Sequence, residues 1–200
     1  GDLDLAVNWQ VWYNGEPVDA YPDDDGDDRK ATVHTRDEIA RANYGSDFDD
    51  LDGDRRQAVE STFRDQFTDL GDGGRPPLVD LSDVKPGDSG RIRFGLHLFD
   101  NPGFLSMTGA LLEDAENGIL EPEADAGDDT PDEGELADNI RARVRYEGTE
   151  YDDVEYEGTL REVVRNFGDE LPLDGDRDAV SRQCFENSQT EHVVFEWKLP

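Results

Sequence analysis

The sequence predicts a mainly β protein, an antiparallel β-sandwich with short helices in its connections. Apolar residues alternate with polar ones in separate short stretches, the mark of strands with one buried face. Turn-forming residues punctuate these stretches. Neither a βαβ rhythm nor an internal repeat is visible, so one domain spanning 1–200 is expected.

The first strand is read from Leu3, Leu5, Val7, Trp9 and Val11, which alternate with Asp4, Ala6, Asn8 and Gln10 before an Asn14-Gly15 turn. Behind it, residues 23–74 read as an acidic, partly helical insertion. It opens on the solvated run DDDGDD at 23–28, and Thr35 with Glu38 then forms a capping box for a helix that Gly45 ends. A second helix is expected from about Asp54, with Val59, Phe63 and Phe67 four residues apart on one face.

Lys85-Pro86-Gly87-Asp88 is a tight turn, because Pro pre-sets φ and Gly accepts a positive φ. Ile92, Phe94, Leu96 and Leu98 follow with period two until Asp100-Asn101-Pro102-Gly103 turns the chain again. A strand framed at both ends is fixed in register, since a slip of one residue turns its apolar face outward. Phe104 to Leu112 reads as a further strand, and Thr130-Pro131-Asp132-Glu133 as the start of a helical turn. Ile140, Ala142, Val144 and Tyr146 alternate with Arg141, Arg143 and Arg145, giving a strand with one cationic face. Thr159 and Glu162 cap a helix with the apolar stripe Leu160, Val163, Val164 and Phe167. Val193, Phe195, Trp197 and Leu199 form the closing strand.

Lys and Arg number 19 against 51 Asp and Glu, a net charge of −32. Such self-repulsion opposes a compact state in dilute buffer. Yet three Trp, six Tyr and nine Phe, mostly in the periodic segments, are too many for a solvating tail. The composition therefore indicates a folded chain adapted to high salt. Nucleic acid is excluded as a partner, because phosphate binding needs clustered cations. No apolar run reaches the 18 residues of a membrane span. Cys184 is alone, so no disulfide forms within the chain.

No catalytic motif emerges. His34, His97 and His192 have no paired spacing, and Ser82 and Ser89 are turn or capping hydroxyls without a positioned base. An enzyme is not expected. Asp174, Asp176 and Asp178 place carboxylates at alternate positions of a short loop and are the candidate Ca²⁺ ligands; no other cofactor is expected. Arg141, Arg143 and Arg145 read either as an ion-pair ladder between subunits or as cross-strand partners for Asp and Glu.

About half of the chain, in order, resembles the secreted TasA and camelysin-like family, in the form found in halophilic archaea. The resemblance rests on LDLAVNWQVWYNGE at 3–16, VDLSDVKPGD at 79–88, FDNPGF at 99–104, AENGILEPEADAGDDTPDEGELAD at 115–138, GTLREV at 158–163, PLDGD at 172–176 and FEWKLP at 195–200. It implies a jelly roll, export through a dedicated signal peptidase, and polymerisation with copies of itself into an extracellular filament, pilus or biofilm matrix. One subunit's strand then completes its neighbour's sheet, and Leu3, Leu5, Val7, Trp9 and Val11 are the candidate assembly strand. Family members commonly carry an apolar segment before that strand and a further strand after the Trp-x-Leu-Pro ending. Here only Gly1 and Asp2 precede the strand, so a chain trimmed at both ends or a shortened variant is expected. A cell-surface binding module for a divalent cation or a polysaccharide is the alternative function.

Overall fold

The computed structural model describes residues 4–21, 34–69, 81, 84–112, 114, 134–147, 154–176 and 178–200. Its strands are β1 (Asp4–Tyr13), β2 (Glu16–Tyr21), β3 (Thr68–Asp69), β4 (Ser89–Phe99), β5 (Ser106–Met107), β6 (Arg141–Tyr146), β7 (Val154–Thr159), β8 (Leu171–Pro172) and β9 (Thr190–Lys198). Its helices are α1 (Arg36–Tyr44), α2 (Gly53–Arg64), α3 (Leu136–Asn139) and α4 (Leu160–Gly168). The mainly β, antiparallel expectation holds. The large sheet runs β2-β1-β4-β9-β6-β7 with every pair antiparallel, and β3 also joins β1; β5 and β8 form a separate two-stranded sheet.

The turns frame β4 as the residues dictate. Asn14 and Gly15 take φ of 48° and 87°, closing a two-residue hairpin between Tyr13 and Glu16. Gly87 takes φ of 96°, and the Asp88 amide donates to the Lys85 carbonyl. The Asp88 carboxylate ties both turns together, accepting from the Tyr13 hydroxyl at 2.5 Å, from Asn14 Nδ2 at 2.8 Å and from the Lys85 amide at 2.8 Å. These bonds, Tyr13's first, pull its pKa down to about 2.

Period two then sorts side chains to opposite faces. Val7, Trp9, Ile92, Leu96, Leu98, Ala142, Val144, Tyr146, Val193, Phe195 and Trp197 face the main core. Val163 and Phe167 of α4, Leu171 of β8, and Leu105, Leu173 and Phe185 close over it. On the opposite face Ala6 and Phe99 pack beneath α1 and α2 through Ile39, Ala40, Val59, Phe63 and Phe67. α1 has its Thr35–Glu38 capping box and its left-handed Gly45 end, and Thr159 with Glu162 caps α4 in the same way.

β2 and β3 are two parts of one interrupted edge strand. Tyr21 pairs with Trp9 and Thr68 with Val7, so α1 and α2 enter the fold opposite Asn8. Asn8 marks the break, its Nδ2 donating to the Gln66 carbonyl at 3.0 Å. Gly95, across β4, makes room for that side chain, since a Cβ there would lie 2.3 Å from Asn8 Oδ1.

One expectation is corrected. Phe104 to Leu112 is not a continuous strand: only Ser106–Met107 pairs, with a bridge from Gly103 to Phe185 beside it. Leu105 and Met107 face the main core, but Phe104, Leu111 and Leu112 are exposed, so the apolar residues of the run are not all sorted to one buried face. β7, by contrast, escapes a hydrophobic reading because Val154, Tyr156 and Gly158 alternate with glutamates and Gly is a poor strand former. The helical turn expected at 130–133 and the loop at 23–28 lie outside the described residues.

Candidate functional site

Among the described residues the helical layer covers one end of the sheet's outer face. Beyond it the register brings Trp12, Arg91, Glu196, Arg143 and Glu157 into one row across five strands, with Ser89, Lys198, Arg141 and Thr159 in the row beside it. These rows line a groove of about 600 Å³. Six of the chain's 19 cations, Arg91, Arg93, Arg141, Arg143, Arg145 and Lys198, stand on this face. In a chain of net charge −32 that is a local reversal of sign.

Their neutralisation is uneven. Glu196 takes Arg143 at 2.5 Å and Arg145 at 3.0 Å, which fits the cross-strand reading for those two arginines. Burial pushes the Glu196 carboxyl up, but hydrogen bonds from Arg145 and Arg143 outweigh it and hold it below the usual range. Arg93 pairs with Glu147. Among the described residues Arg91, Arg141 and Lys198 have no ion-pair partner; Arg91 instead lies 4.0 Å over the Trp12 ring. Arg141 and Lys198 are directly opposite each other on adjacent strands, a like-charge pairing that costs stability.

The described candidate residues have definite places. Leu5, Val7, Trp9 and Val11 lie in β1, inside this subunit's own sheet, with β4 on one side and β2 or β3 on the other; Leu3 lies outside the described residues. Asp174, Asp176 and Asp178 do not converge on a metal position. Asp174 Oδ1 accepts from the amides of Asp176 and Gln183 at 3.1 and 2.8 Å, and Asp176 Oδ1 accepts from the Asp178 amide at 3.1 Å. Among the described residues no group of three or more His, Cys, Asp or Glu side chains is placed to hold a metal ion. No described helix is long and apolar enough to cross a membrane.

The histidines separate by environment. His34 is exposed, 3.8 Å from Glu38. His97 is fully buried against Phe63, Phe67 and Phe99, with Nδ1 2.5 Å from the Thr190 hydroxyl. His192 stands opposite Gly95 on the same face, two residues along from Thr190. Burial first, then the charges of Arg36 and Arg64, push His97 down to about 4, and burial with Arg93 does the same to His192.

A pH prediction follows from His97. Unfolded, its ring titrates near 6.5, and folded near 4, so the fold accepts the neutral form. The stabilisation is complete above pH 6.5, falls as pH drops through the window between the two values, and is lost below 4, on the order of 3 kcal/mol in all. Denaturant midpoints measured in molar salt are expected to decline below about pH 6.5, ahead of ordinary carboxylate titration. The slope between pH 6.5 and 5 should flatten in His97→Phe. An identical slope in the variant would remove His97 as the cause.

The cationic face was only partly legible beforehand: alternation shows Arg91 with Arg93, and Arg141 with Arg143 and Arg145. That both sets share one face follows only from β9 lying between β4 and β6. No protein-family model, curated protein or solved structure matches this chain.

Proposed function

We propose that the chain is a secreted, non-enzymatic structural subunit of an extracellular filament or cell-surface assembly, joined to copies of itself by β-strand addition and stable at high salt. The observation that carries this is an open sheet edge with an exposed aromatic. Among the described residues β7 pairs only with β6, and its Tyr156 is 38% exposed. Unpaired N–H and C=O groups beside an exposed apolar side chain are what an added strand satisfies together. The opposite edge is blunted, because β2 carries Pro17 and a bulge that leaves Val18 without a partner residue on β1. On this reading β5, β8 and the segments around them form the second layer of a jelly roll over the core face. The resemblance to TasA-like sequences supports the same reading.

Electron microscopy of natively isolated protein in high salt tests it. Filaments or a coat are expected, and Tyr156→Lys, which places a charge on the β7 edge, should shorten or abolish them with an unchanged circular dichroism spectrum. A chain that stays monomeric by light scattering at high concentration and high salt would overturn the proposal. The cationic groove would then favour a second reading, a surface module for an anionic polysaccharide.

A further inference from the structure

We infer that the cationic half of the outer face, which no described helix covers, is the docking surface for the helical layer of a second copy of this chain, in a two-fold dimer. It rests on self-association but not on strand addition. The two halves of that face carry opposite unpaired charges, and one is raised where the other is recessed. One half carries α1 and α2 as a raised layer over Ala6, His97 and Phe99, and the other is an open groove over Trp12, Arg91, Arg141 and Lys198. A two-fold operation that sets the raised half of one copy into the low half of the other makes both contacts at once, as an isologous interface requires.

The charges left over on each half match. Among the described residues Arg91, Arg141 and Lys198 lack an ion-pair partner in the groove, and the exposed Asp49, Asp50, Asp54 and Asp65 lack one in the helical layer. The layer's other acids are satisfied within it or beside it, Glu60 by Arg36 and Asp47 by Arg41. A partner carboxylate between Arg141 and Lys198 would relieve their like-charge pairing, which nothing else among the described residues does. A neutral sugar is a poorer occupant, because the Trp12 face it would stack on is held by the Arg91 guanidinium.

Charge-swapped variants of the full chain test this by sedimentation velocity in molar salt, where the Debye length of about 3 Å suppresses net repulsion. The wild type should be a dimer. A groove variant, Arg141→Glu with Lys198→Glu, and a layer variant, Asp50→Lys with Asp54→Lys, should each weaken self-association on the order of a hundredfold or more, since each meets like charge at both contacts. Mixed together they should dimerise again, because both contacts then join opposite charges. All four positions are exposed, and unchanged circular dichroism would show that the variants fold. Tyr156→Lys should leave the dimer intact, which separates this surface from the β7 edge. A monomeric wild type overturns the inference, as does a mixture that fails to re-associate. Alginate, a uronate polymer, probes the other occupant: binding that the groove variant loses, with the wild type monomeric, would assign the groove to an acidic glycan.

Discussion

Dialysis from molar salt to about 0.1 M is expected to unfold the chain, as the Debye length grows from about 3 Å to about 10 Å. The net charge of −32 sits on a surface where carboxylates crowd one another, as Asp49, Asp50, Asp52 and Asp54 do around the start of α2. Two like charges about 7 Å apart repel by about 0.6 kcal/mol in unscreened water. A few tens of such pairs therefore rival the roughly 5–15 kcal/mol that holds a domain folded. Among the described residues most of the ion pairs that offset repulsion have at least one exposed partner and are of little worth. Far-ultraviolet circular dichroism should lose its β signal, and fluorescence from the buried Trp9 and Trp197 should shift red as water reaches them. An undiminished folded spectrum at low salt would refute adaptation to salt.

Val7→Asp is expected to unfold the monomer rather than merely block assembly. Val7 is 5% exposed, pairs with Leu96 and with Thr68, and belongs to the main core. The change removes about 1.5–3 kcal/mol of apolar burial and adds a carboxylate with no partner in an apolar site. A loss of about 4 kcal/mol or more is expected, a large share of total stability. Gln10→Asp, the same charge on the outer face of the same strand, should cost little. Equilibrium denaturation of both variants in molar salt measures the difference. A Val7→Asp protein that stays folded but no longer assembles would mean that β1 completes a neighbour's sheet instead of its own.

What could be read from the residues was whatever depended on short-range physics. Period two located β1, β4, β6 and β9, and Thr35 with Glu38 and Thr159 with Glu162 located the starts of two helices. Long-range pairing was hidden, because nothing in VEYEGT names β6 as its partner and nothing in the Arg141 strand names β9. The second face was hidden for a related reason. Ala6, His97 and Phe99 look like the polar or mixed side of their strands until α1 and α2 cover them. The Asp174 loop is ambiguous at the level of residues, since alternate carboxylates suit a cation and backbone amides equally well, and here amides occupy Oδ1 of Asp174 and of Asp176.

β9 lies between β4 and β6 and is the only described strand that pairs with both, so it joins the ribbon β2-β1-β4 to the hairpin β6-β7. Its contacts are far apart in sequence, His97 meeting Thr190 across 93 residues. Only β1-β2 and β6-β7 are local hairpins, so these are expected to close early, and the expected slow steps are the long-range pairing of β1 with β4 and the insertion of β9 into a slot with two open sides. Until it is filled, that slot accepts a neighbour's β9 as readily as the chain's own, because the ladder formed is the same. Refolding from denaturant at high protein concentration should accordingly trap strand-exchanged species that dilute refolding avoids.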